Sequence, residues 1–114
     1  MATLTRYCLA LDLKDDAALI AEYETYHQEV WPAIIESIKG SGIQNMEIYR
    51  TGNRLFMIME VQAAFTFADK AASDAANQAV QEWELLMWKF QQPLTWAAPG
   101  EKWILMNKIF DLNS

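Results

Sequence analysis

This chain has one cysteine, one histidine, three prolines and four glycines among its 114 residues, and each scarcity excludes something. The lone Cys8 permits no internal disulfide and no cysteine-based metal cluster, so it reads as a small buried apolar group. The lone His27 with scattered acids is a poor zinc site, since catalytic zinc usually takes two or three nitrogen or sulfur ligands; no metal is expected. Basic residues are few, nine Lys and Arg against fifteen Asp and Glu, and the formal charge of −6 argues against a nucleic-acid partner. There is no Gly-rich phosphate loop and no recognisable Ser–His–acid motif. No apolar run approaches the roughly 20 residues of a membrane span, so no membrane partner is expected. Met1 to Ala10 carries Arg6 within its apolar run and no small-residue cleavage pattern follows it, which reads as a cytoplasmic protein without a secretory signal. Repeats and linkers are missing too, and only Ala68 to Ala79 is compositionally biased, towards alanine.

What is present is apolar: hydrophobic residues make up 53% of the chain, enough for one heavily buried domain over residues 1–114. Leu4 to Leu11 alternates as a first strand, and Asp15 and Asp16 suit the cap and first turn of the helix that follows. Pro32 cannot donate to the carbonyl of Gln28, so that helix should kink or restart near Trp31 before Gly40 and Gly42 end it. Ile43 to Arg50 and Arg54 to Val61 read as strands joined by a turn at Thr51-Gly52-Asn53. The second of these is apolar on both faces, with Leu55, Met57, Met59 and Val61 on one and Phe56 and Ile58 on the other. Helices of the same chain can cover one face; a second copy most simply covers the other, which implies a homodimer. Phe65 to Ala72 and Ala75 to Phe90 read as helices broken at Ser73 and Asp74, and Trp103 to Phe110 as a fourth strand. The order βαββαβ predicts an α+β, ferredoxin-like antiparallel sheet with helices on one face.

Tyr23, His27 and Trp31 recur every four residues, a single stripe on a helix. Such a stripe is normally core, yet it includes a phenol and an imidazole that need partners once buried. Two readings stand: a satisfied core histidine, or an acid/base group whose pKa lies near neutrality. Further on, Val80, Trp83, Glu84, Met87 and Trp88 share one helical face. Either the tryptophans are core with Glu84 at the solvated margin, or Glu84 points into a cavity shared with His27. In the second case a carboxylate, an imidazole and indole faces converge, which is the inventory of a carbohydrate site.

Taken together, Tyr23-x-x-x-His27-x-x-x-Trp31-Pro32, Asn45-x-x-Ile48-Tyr49, Leu55-Phe56 and Gln81-x-Trp83 resemble the L-rhamnose mutarotase family over nearly the whole chain. The resemblance implies a dimeric α/β barrel of ferredoxin-like subunits, with no cofactor or metal, that interconverts the α and β anomers of a 6-deoxy monosaccharide. It assigns His27 the part of proton donor and Tyr23, Trp83 and Asn45 places at the sugar, with Trp31 in the same motif. Glu84 stands where rhamnose-type members carry a second Trp, and Met46 where they carry a Tyr. The wording around Arg6 to Asp12, Met46 to Tyr49 and Glu82 to Glu84 is similar to the branch associated with L-fucose catabolism. An L-rhamnose enzyme, a non-catalytic sugar-binding dimer and a cofactor-free monooxygenase on the same fold are the alternatives.

Overall fold

A computed structural model describes residues 3–113, so the amino-terminal reading falls partly on Met1 and Ala2, outside the described residues. The first strand, β1 (Thr5–Leu13), alternates so that Leu9, Leu11 and Leu13 are buried. Helix α1 (Ala17–Gln28) starts where the Asp16 carboxylate accepts the Leu19 N–H at 3.0 Å, one of the orphan donors of the first turn. The chain leaves the helix at Glu29 and restarts as α2 (Pro32–Gly40), with Pro32 at the first position, where its missing N–H costs nothing. Gly42, at φ 91, then takes a conformation that a side chain would strain.

Strands β2 (Ile43–Thr51) and β3 (Arg54–Val61) form a hairpin closed by Gly52, at φ 55, and Asn53. Asn53 also ties this turn to the end of β1: its amide donates to the Leu13 carbonyl at 3.1 Å, and its own carbonyl accepts from the Leu13 N–H. Helices α3 (Phe67–Ala75) and α4 (Gln78–Trp88) follow, then β4 (Gln91–Gln92) and β5 (Ile104–Leu105). The sheet runs β2-β3-β1, entirely antiparallel, with β4 and β5 both pairing with β1.

The core lies between this sheet and the helices. Leu13 and Leu55 meet Tyr23 of α1, Ile34 of α2 and Val80, Trp83 and Met87 of α4 in one cluster; Leu9, Ile43, Met57, Met59 and Val61 form a second beside it. Each large apolar side chain so buried contributes about 1.5–3 kcal/mol. Among the described residues, no helix covers the opposite face of the sheet. Its centre is the half-buried Cys8, Ala10, Phe56 and Ile58, framed by ion pairs between Arg6 and Glu60 at 3.6 Å and between Arg54 and Asp12 at 2.8 Å.

The α+β class and the antiparallel sheet agree with expectation; the α/β barrel does not. The sheet is open, ending at β2 on one side and at β4 and β5 on the other. The expected strand Trp103 to Phe110 shrinks to Ile104–Leu105, paired with Ala10 and Leu9; β4 takes the Asp12 and Leu13 end of the same β1 edge. Beyond Met106, whose N–H still reaches the Cys8 carbonyl at 2.8 Å, Asn107 and Lys108 interrupt the alternation, and Ile109, Phe110 and Leu112 are exposed. The helix break also moves, from Ser73 and Asp74 to Ala76 and Asn77. Asp74 stays helical and pairs with Lys70 at 2.6 Å, while Asn77 accepts from the Val80 N–H at 3.3 Å and caps α4.

Candidate active site

The last turn of α1 places His27 one turn beyond Tyr23, and α4 brings Trp83 against the imidazole. The Tyr23 and His27 rings stack at 4.3 Å between centroids, and Trp83 meets the imidazole edge-on at 5.7 Å. The resulting wall is two aromatic faces and one imidazole, rigid because Tyr23 and Trp83 are 3% and 7% exposed. Beside it opens a cavity of about 720 Å³, bordered by Tyr23, His27, Asn45, Met46, Trp83 and Glu84. That size lies within the usual range for small-molecule sites. A smaller cavity, about 330 Å³, shares Tyr23 and His27 but is otherwise bordered by Tyr49, Arg50 and their neighbours.

The imidazole has a defined orientation. Its Nδ1 lies 2.8 Å from the Tyr23 carbonyl oxygen, which can only accept, so Nδ1 carries the proton and Nε2 is the free nitrogen. Burial holds the His27 pKa below its ordinary value; the bond to Tyr23 opposes this and is outweighed. The ring is therefore neutral at pH 7, with a lone pair on Nε2. The Tyr23 phenol is pushed up to about 12, chiefly by burial, with the Gln91 side chain lowering it and the Glu84 charge raising it. Tyr23 is a proton-holding donor, not a base.

Glu84 borders the cavity, and its carboxylate is not free. Lys102 Nζ donates to Glu84 Oε2 at 2.5 Å and to the Glu84 carbonyl oxygen at 3.1 Å, and sits 4.6 Å from the Trp88 ring centroid. The Lys102 side chain is 13% exposed and that of Glu84 43%, so the pair is shielded on the lysine side and open to solvent on the carboxylate side. Met46 borders the cavity from β2. Asn45 only edges it: the strand register pairs Asn45 with Glu60, and its amide donates there at 3.4 Å, away from His27. Trp31 does not border the cavity; it backs Trp83, with centroids 5.0 Å apart. Gln91 and Trp103 are among the lining residues that the sequence-based set missed, and Lys102, which does not line the cavity, acts on it through Glu84. Among the described residues no cluster of His, Cys, Asp and Glu is arranged to hold a metal ion.

The chain is similar to known proteins in sequence and in fold. The sequence model of the L-rhamnose mutarotase family matches residues 6–112. An L-fucose mutarotase of Xanthomonas campestris pv. campestris is 49% identical over 113 residues, 97% of this chain and 90% of that one. An L-rhamnose mutarotase of Oceanobacillus iheyensis is 31% identical over 75 residues, 64% of each chain. The crystal structure of an L-rhamnose mutarotase from Formosa agariphila superposes with a TM-score of 0.68 over 95% of this chain and 98% of that one, at 18% identity, which shows the shared fold. By the span of the family match and the identity to its relatives, this chain belongs to the L-rhamnose mutarotase family.

Proposed function

We propose that this protein is a mutarotase that interconverts the α and β anomers of a 6-deoxyhexose, with L-fucose the preferred sugar. Family membership supports the reaction, and the 49% identity to an L-fucose mutarotase supports the sugar. The observation that carries the mechanism is the free Nε2 of a neutral His27 beside an aromatic-walled cavity. Anomer exchange needs the hemiacetal to open, one bond to rotate and the ring to close again. His27 Nε2 takes the proton of the anomeric hydroxyl as the C1–O5 bond breaks, and O5 gains a proton from a donor of the site, for which the un-ionised Tyr23 phenol is the candidate. Closure on the other face runs the same transfers backwards, so no proton is consumed. The donor role that the resemblance gives His27 is thus one half of a two-way role, beginning from the base form. General acid–base catalysis of this kind contributes about 10² to 10⁴ in rate.

In this reading Trp83 stacks on the apolar face of the sugar, Met46 lies against its methyl group and Glu84 accepts from a hydroxyl. Trp31 fixes the Trp83 ring from behind, and Asn45 shapes the rim through Glu60. Ring opening and reclosure ask the protein only for proton transfers, which its side chains supply without a cofactor or metal. The protein works as a homodimer through the helix-free face of the sheet, where an apolar centre with an ionic rim suits burial against a second copy. Among the described residues no helix is long and apolar enough to cross a membrane. We place its work in the cytoplasm, where monosaccharide catabolism runs.

Exchange spectroscopy by NMR tests the reaction. Purified protein at micromolar concentration is expected to speed interconversion of the L-fucose anomer signals well above the buffer rate. Binding of the sugar without faster exchange would leave a sugar-binding module instead.

A further inference from the structure

We propose that Gln91 reads one ring hydroxyl of the bound sugar and is a specificity-determining residue of this site. The inference rests on the sugar-site reading above and deepens it. Gln91 is the single buried polar or charged residue of the described core, 4% exposed. It sits in β4, held by pairing with Leu13, and its side chain borders the cavity that Tyr23, His27 and Trp83 share. The neighbouring Phe90 carbonyl accepts from the Lys14 N–H at 2.8 Å, so the residue is carried on a segment tied to β1 and not on a free loop.

A buried primary amide has two donors and two lone pairs to satisfy, and native interiors rarely leave one unmet. One end of the Gln91 amide lies toward the Tyr23 phenol, whose pKa the side chain lowers against the rise from burial. The other, Oε1, is buried with no hydrogen-bond partner among the described residues. Turning the amide over exchanges its two ends and still leaves one facing Tyr23 and one orphaned. Packing alone would favour Leu or Met here, beside Phe90 and Leu13. A group this costly at the wall of a ligand cavity is explained if the ligand completes it. A sugar hydroxyl fits either orientation, since it both donates and accepts. Gln91 then grips the substrate and the Tyr23 phenol together, which ties recognition of a ring hydroxyl to the position of a proton-holding group. Ser37 Oγ is also buried, unpartnered and at the cavity border, but it lies on α2, and a helical serine hydroxyl commonly turns back to a carbonyl of the preceding turn. It carries less.

The test compares wild-type protein with Q91M, which keeps the volume and drops the amide, and with Q91N, which keeps the amide and withdraws it. Thermal unfolding is followed with and without L-fucose, and exchange kinetics are measured on L-fucose and on its monodeoxy analogues. Without sugar, Q91M is expected to unfold at or above the wild-type temperature, because an orphaned polar group has been removed. Its KM for L-fucose should rise about tenfold with kcat changed far less, and the sugar-induced thermal shift should shrink to match. Removing one particular hydroxyl from the sugar should cost the wild type about tenfold and Q91M little, a coupling that identifies the contact. Q91N should lose the same affinity in a folded protein. Wild-type KM in Q91M, additive losses for every deoxy sugar, or unfolding of both variants would each make Gln91 structural and overturn the proposal. An active wild type with an indifferent Q91M sinks this inference alone. A wild type that neither exchanges nor is stabilised by 6-deoxyhexoses overturns the functional reading with it.

Discussion

The Nδ1–H of His27 donates to the carbonyl of Tyr23, one turn earlier on the same helix, at 2.8 Å. That bond decides which nitrogen meets the ligand, and it needs no second side chain to do so. It is consistent with the acid/base reading of a lone histidine in an aromatic stripe: the backbone holds one nitrogen, and the residue borders a cavity.

The first expected outcome concerns that free nitrogen. H27N retains a polar group of similar reach but cannot exchange protons near neutrality. Its catalysed exchange should fall by about 10² or more, with the unfolding temperature within a few degrees of wild type. NMR exchange and calorimetry on one sample check both. A folded H27N with near wild-type exchange would remove His27 from the mechanism, and a collapsed one would return it to the core.

Dependence on pH follows from the direction of the His27 shift. Burial lowers its pKa, so the base form persists below the usual histidine range. Catalysed exchange at low sugar concentration should be flat at and above pH 6.5 and fall only on the acid side, as Nε2 is protonated. Stability follows the same sign. The unfolded chain takes up a proton near pH 6.5 while the folded one does not, so this contribution is full above pH 6.5 and is lost as pH falls through the lowered folded value. Tyr23 acts at the other end. The unfolded phenol ionises near 10 and the folded one near 12, so stability should drop as pH climbs between them. Y23F should lack that alkaline loss, as pH-dependent calorimetry can show.

The helix-free face gives a third outcome. Cys8 pairs with Ile58 and Ala10 with Phe56 across β1 and β3, all half-buried, and ion pairs close the patch at both ends. If a second copy covers it, sedimentation at micromolar concentration gives a dimer, and F56E, with a charge at the patch centre, gives a folded monomer. A wild-type monomer would end the dimer reading, and a dimeric F56E would move the interface elsewhere.

How much of this was legible in the sequence depended on where each contact came from. Tyr23 and His27 share a helix, so their spacing alone set them on one stripe; Trp83 joined them because its own helix is amphipathic. The break before Pro32 followed from a missing N–H. Closure of the sheet did not follow, because it depends on how long the last strand pairs, and the β1 edge is divided between Gln91–Gln92 and Ile104–Leu105. Gln91 gave no signal, since a two-residue strand has no period. The Glu84–Lys102 pair was hidden for a related reason: Lys102 arrives from an irregular loop, and only the folded chain sets it against α4.

That pair governs the last outcome, the choice of sugar. L-fucose and L-rhamnose both carry a methyl group, and they differ in which ring hydroxyls stand axial. A site separates them by where its polar groups are fixed, and Lys102 fixes the Glu84 carboxylate at the cavity edge. A fixed carboxylate rewards a hydroxyl where an indole would reward a C–H face, a difference worth about one decade in preference. The wild type should therefore exchange L-fucose faster than L-rhamnose, and E84W should narrow or reverse the gap. K102M leaves the carboxylate but frees it to turn, so it should shift the preference the same way by a smaller factor. Exchange rates on the two sugars for the three proteins decide the matter. Equal wild-type rates, or variants that leave the ratio untouched, would reduce Glu84 and Lys102 to a bridge that only fastens the carboxy-terminal segment to α4.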